Sequence, residues 1–179
     1  VEVDFGSVTQ TFHVGRGSAA VPGLLEGLLA ALRAHGRLPL AEVVAPAREL
    51  AAGYTVSSAV AGILRLLEPI YALSTGARRL AGNAEGATAA AGDRGRNPGL
   101  GHLFEGLARD PGATLRAVAA DLVAAVGPDL GGLVSAEDLA AFAPARRAPV
   151  AVPFAGATVL TPGPPSAGVA TQSHSAPQR

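Results

Sequence analysis

Apolar residues recur at two different periods along this chain, and the changes of period mark out its elements. Val1 to Val14 alternates loosely and carries Val, Phe and Thr, a pattern that predicts one or two short strands. Gly15 and Gly17 break it. Leu24, Leu25, Leu28, Leu29 and Leu32 then follow at helical spacing, which predicts an amphipathic helix ending near His35. Pro22 suits the first turn of that helix, where a missing N–H costs nothing, and Gly36 suits a left-handed stop. A second helix is predicted from Pro39 through Val43, Val44, Ala47 and Leu50, stopped by Gly53. Pro46 lies inside it, so a kink or break is expected near Ala45. A third is predicted from Ser57 or Ser58 through Val60, Ile63, Leu64 and Leu67 to Leu73.

From Ser74 to Arg96 the chain is rich in Gly, Ala, Thr and Asn, which predicts a long, partly mobile loop. Asn97-Pro98 and Asp110-Pro111 are helix-start signals. Leu100, Leu103, Phe104 and Leu107 form one face after the first; Leu115, Val118, Leu122 and Val123 follow the second, up to Gly127-Pro128. Ser135-Ala136-Glu137-Asp138 resembles a capping box with Asp in place of the more usual Glu, and a short helix to Phe142 should follow. Val150 to Phe154 and Ala157 to Thr161 read as two strands around Gly156. The last residues are polar and aperiodic, with nothing to offset roughly 1–2 kcal/mol of ordering entropy per residue, so disorder is predicted over 169–179. The fold class is therefore α+β and predominantly helical, with residues 1–168 as one region.

Composition changes this picture in one respect. Two Tyr, five Phe, no Trp and no Met leave Leu, Val and Ala to fill the interior. Ala buries little area, so each helix gains less than the roughly 1.5–3 kcal/mol of a buried Leu or Phe. Hydrophobic residues still make up 49% of the chain, and apolar surface that a small core cannot hide should meet another chain or domain. Charge narrows the function classes. The fourteen basic residues are all Arg, they balance fourteen acidic ones, and no basic stripe with interleaved aromatics occurs, so no nucleic-acid partner is expected. The absence of Cys excludes disulfides and thiolate chemistry but leaves the compartment open. No apolar run approaches the roughly 18 residues of a membrane span.

The candidate reactive groups fit structural roles better than catalytic ones. His13, His35, His102 and His174 lack metal-ligand spacing, so no metal site is expected. His35 stands where an imidazole meets a helix C-terminus favourably, His102 lies on the polar side of its helix, and His13 sits in a short strand with no evident partner. Glu137 and Asp138 fall in a helix first turn, where negative charge is stabilised. Gly15–Ser18 is too short to cradle a phosphate. Asp4, His13 and Ser18 form a triad only on paper. Thr171, near His174, lacks a following strand around which a Thr nucleophile's site could be built.

In order along the chain stand G-S-A-A-V-P-G (Gly17–Gly23), A-H-G-R-L-P-L-A-E-V-V-A-P-A (Ala34–Ala47), G-Y-T-V-S (Gly53–Ser57) and G-D-R-G-R-N-P (Gly92–Pro98). G-G-L-V-S-A-E-D-L-A-A-F (Gly131–Phe142) follows, then R-A-P-V (Arg147–Val150), F-A-G-A-T-V (Phe154–Val159) and P-P-S-A-G (Pro164–Gly168). This series resembles the second half of the large subunit of γ-glutamyltransferases. The resemblance implies an incomplete portion of an N-terminal-nucleophile hydrolase, an αββα sandwich. Members of the family cut themselves in two, and the new N-terminal Thr attacks a γ-glutamyl amide such as glutathione before water or an amino acid takes the acyl group. By the same resemblance that Thr would lie beyond Gly168 and the Arg that binds the glutamyl carboxylate upstream of Val1. No catalytic, substrate-binding or metal residue is therefore assigned, no cofactor is implied, and the chain is expected to be inactive alone. Its partner would be the small subunit or the remainder of the enzyme. The family's aromatic-x-Gly is missing near Leu115, and the abrupt change at Val169 suggests an altered reading frame. The alternative from another class is a non-catalytic helical interaction module.

Overall fold

In a computed structural model, which describes residues 1–83 and 85–164, the chain divides into two compact units, 1–142 and 143–179. The first begins with strands β1 (Glu2–Asp4) and β2 (Thr9–Thr11), paired antiparallel with Val3 opposite Gln10. Val3 is fully buried and the rings of Phe5 and Phe12 lie 6.3 Å apart, so the apolar side of this small ribbon closes on itself. His13 lies outside the strands and is exposed, a correction to its placing in one.

Helices α1 (Leu24–His35) and α2 (Leu40–Ala52) form where the Leu and Val spacing predicts. Three details differ. Gly23 is the N-cap of α1, so Pro22 stands outside the helix. Gly36 is extended (φ −68°, ψ 151°), not left-handed. A Cβ there would overlap Leu32, so the glycine serves a sharp exit rather than a left-handed turn. Finally, α2 runs through Pro46 without a break: only one interior hydrogen bond is lost, and Val44 and Ala51, buried on either side of it, hold both halves to the same face.

The third predicted helix is divided into α3 (Ser58–Leu66) and α4 (Glu68–Tyr71). Pro69, which has no N–H to continue the ladder, stands in the first turn of α4, where none is needed. Ser57 caps α3 by accepting the Val60 N–H at 3.2 Å.

Residues 74–96 are more regular than their composition predicts. Ser74 caps α5 (Thr75–Ala81) by accepting the Ala77 N–H at 3.0 Å. Strand β3 (Tyr54–Thr55) pairs antiparallel with β4 (Arg94–Gly95). Between them Asn83 accepts the N–H groups of Glu85 and Ala87, and Asp93 accepts the Ala90 N–H and the Asn83 amide. These bonds place Ala89 in a buried cluster with Val56 and Ala61, against which Tyr54 and Leu64 pack.

Helices α6 (Pro98–Arg109) and α7 (Pro111–Val126) start at their Asn-Pro and Asp-Pro signals. Asn97 accepts from Leu100 at 3.0 Å and Asp110 from Ala113 at 2.9 Å. Small residues set the helix contacts. Gly101 of α6 lies against Ala51 of α2, and Gly106 leaves room for Thr114 of α7. Helix α8 (Ala136–Ala141) carries the predicted capping box in full. In the second unit β5 (Val150–Phe154) and β6 (Ala157–Thr161) form a hairpin, with Val152 opposite Val159. Its turn holds Ala155 at φ 47° and Gly156 at φ 81°, the paired left-handed residues of a two-residue hairpin loop. Residues 169–179, with Thr171 and His174, lie outside the described residues.

Candidate docking surface

Three of the reactive side chains singled out from the sequence, Ser18, Asp4 and Asp138, are engaged in local structure. Ser18 donates its hydroxyl to the Gly15 carbonyl at 2.8 Å, and Asp4 accepts the Gly6 N–H at 2.7 Å. Each serves its own turn, so no relay joins Asp4, His13 and Ser18. His102 is exposed on α6 and His35 is the last residue of α1. Asp138 accepts from the N–H and hydroxyl of Ser135 at 2.9 and 2.8 Å, and these bonds hold its carboxyl below the ordinary carboxylate range, the backbone bond contributing most. Among the described residues no group of three His, Asp or Glu is placed to hold a metal, and no polar or charged residue is buried.

The apolar side chains tell a different story. Leu24 and Leu28 are 72% and 58% exposed on α1, four residues apart. Val43 and Leu50 are exposed seven apart on α2, and Val60 and Ile63 three apart on α3. Spacings of three, four and seven put each pair on one side of its helix, so these are stripes rather than scattered residues. The predicted apolar face of each helix is thus only partly covered: Leu29, Val44 and Ala61 are buried, and neighbours on the same helices are not. On α7 no residue is fully buried. Its half-buried Leu115, Ala119 and Val123, with Leu139 and Phe142, line an open groove of about 690 Å³ whose charged members are Glu26 and Arg116.

The segments quoted from the sequence also meet one another. Gly53–Ser57 and Gly92–Pro98 are strand partners: Tyr54 stands opposite Gly95, Val56 donates to the Asp93 carbonyl, and Gly92 donates back to Val56. A Cβ on Gly95 would overlap the Tyr54 ring. Gly17–Gly23 meets Gly131–Phe142 at both ends, with Gly17 facing the Gly131 carbonyl and the Phe142 ring resting on Gly23. Arg147–Val150 and Phe154–Val159 form the β5–β6 hairpin. Sequence reading finds these segments separately; their pairing is not visible in one dimension.

The arrangement is that of an α+β, mostly helical portion of an N-terminal-nucleophile hydrolase. It superposes on the γ-glutamyltranspeptidase of Helicobacter pylori with a TM-score of 0.72 at 23% identity, over 86% of this chain and 45% of that one. A family model described as Gamma-glutamyltranspeptidase matches residues 3–174, and the chain belongs to that family. Two curated relatives are the acylase ACY 1 proenzyme of Pseudomonas sp. (strain SE83) and the glutathione hydrolase proenzyme of Escherichia coli (strain K12). The first is 31% identical over 177 residues, covering 86% of this chain; the second is 30% identical over 160 residues, covering 88%. The chain spans 28% and 27% of their respective lengths.

Proposed function

We propose that this chain is a large-subunit segment of a γ-glutamyltransferase and that it docks through its exposed helix stripes against the remainder of such an enzyme. The single observation that carries the reading is the set of apolar stripes on α1, α2 and α3, left open in a chain that spans just over a quarter of its curated relatives. An exposed apolar stripe of this kind marks a surface for another chain or domain. The complete enzyme transfers a γ-glutamyl group from glutathione-like amides to water or an amino acid. This chain contributes architecture to that reaction and is inactive alone; the local bonds of Ser18, Asp4 and Asp138 in their own turns and caps are in keeping with this reading.

The test is release of nitroaniline from a γ-glutamyl nitroanilide. The isolated chain should release none above the buffer rate. Residues 3–164 substituted for the corresponding segment of the Escherichia coli glutathione hydrolase proenzyme should give a chimera that cuts itself and turns over. A folded chimera that does neither would overturn the large-subunit reading, and turnover that tracks the isolated chain would overturn its inactivity.

A further inference from the structure

We propose that Ala143–Pro149 is a processing site for an arginine-specific endopeptidase, with cleavage after Arg147. All seven residues are exposed and none belongs to a helix or strand, and they open the second compact unit. Endopeptidases bind substrate as an extended run of several residues on both sides of the cut bond. An exposed segment without secondary structure supplies that shape without unfolding anything else. A-P-A-R-R-A-P adds two basic side chains for an acidic specificity pocket, and its prolines are not adjacent to the cut bond. Hydrolysis adds one water across the Arg147–Ala148 bond, leaving a carboxylate on Arg147 and an amine on Ala148. Arg147 must first release the Pro164 carbonyl, to which it donates at 3.2 Å in an exposed bond, and Arg146 must give up its own contact.

The described arginines outside this segment lie in helices, strands or short bonded connections, which disfavours cleavage. Arg78-Arg79 is the same dipeptide, but it lies inside α5, where Arg78 also donates to the Ala72 carbonyl at 2.8 Å. Arg33, Arg48, Arg65, Arg109 and Arg116 are in helices and Arg94 is in β4. Arg37 is in a short connection between α1 and α2, bounded by the bond from Gly36 to Leu32 on one side and from Glu42 to Pro39 on the other. Arg96 precedes Asn97, whose N–H is bonded to Ala51. Arg16 lies in a helical turn and donates to the Ala125 carbonyl.

The inference rests on backbone conformation and exposure, so it does not depend on the proposed function. The experiment is a time course of the full chain with trypsin at low ratio, with products identified by mass and N-terminal sequence. The first new N-terminus should be Ala148, with Arg147 as a minor companion, and a fragment 1–147 should persist. The double variant Arg146→Gln, Arg147→Gln should lose these products and survive intact severalfold longer. First cuts within residues 1–142, or an unchanged lifetime of the double variant, would overturn the proposal.

Discussion

Gly27 and Gly132 differ in secondary structure and in what surrounds them, and the difference fixes the sign of a substitution. Gly27 lies inside α1 with open space where a Cβ would stand. Gly27→Ala should stabilise that helix by about 0.8–1 kcal/mol, the helix-propensity difference between the two residues. A Cβ on Gly132 would overlap the carbonyl of Val126, because the chain doubles back after α7 and the Gly132 N–H bonds to Gly127 at 3.1 Å. Gly132→Ala should therefore cost about 1–3 kcal/mol, the range for forcing atoms into filled space. Exchange of the α1 amides in the first variant and the Val126–Gly132 amides in the second reads both effects. Equal and small changes would show that the close approach at Gly132 is not required.

At the scale of elements, the parts that could be read from sequence were those specified locally. Ser57, Asn97, Asp110 and Ser135 each accept the N–H three residues on, so one residue type at one offset announces a helix. The α8 box makes the tie reciprocal, and this has a pH consequence. Because the Asp138 carboxyl is held below its ordinary value, the contribution of the box is fully present above that value and is lost as pH falls through the lowered one. A carboxyl titration followed by NMR should place Asp138 below the ordinary carboxylate range, and Ser135→Ala should raise it only part of the way, because the backbone N–H bond remains. An unshifted Asp138 would remove the account. Elements without a run of large apolar residues were not legible, even with a local cap such as Ser74 on α5. Helix α5 has Leu80 as its one large apolar residue, and Leu80 is exposed; what the helix buries is Ala81. A pattern weighted by large side chains passes over it. Strand β4 is two residues long and exists because Tyr54 and Thr55 stand opposite.

For the whole molecule the same rule explains the candidate surface. Periodicity located the apolar faces of α1, α2 and α3, but it carries no information on which part of a face is covered. Only the structure separates buried Leu29, Val44 and Ala61 from exposed Leu28, Leu50 and Ile63. The fully buried set consists largely of Ala and Val, and the cluster around Val56 is small. The isolated chain should then unfold over a broad range with weak cooperativity. A sharp transition, with calorimetric and van't Hoff enthalpies equal, would favour a self-standing interaction module instead.

The ring of Phe142 resting on Gly23 ties together two residues separated by most of the first unit. Exchange of gene segments with a relative that differs at either position would break that tie wherever a crossover fell between them. A larger residue at position 23 would have to displace that ring, so what is tolerated at one position depends on the other.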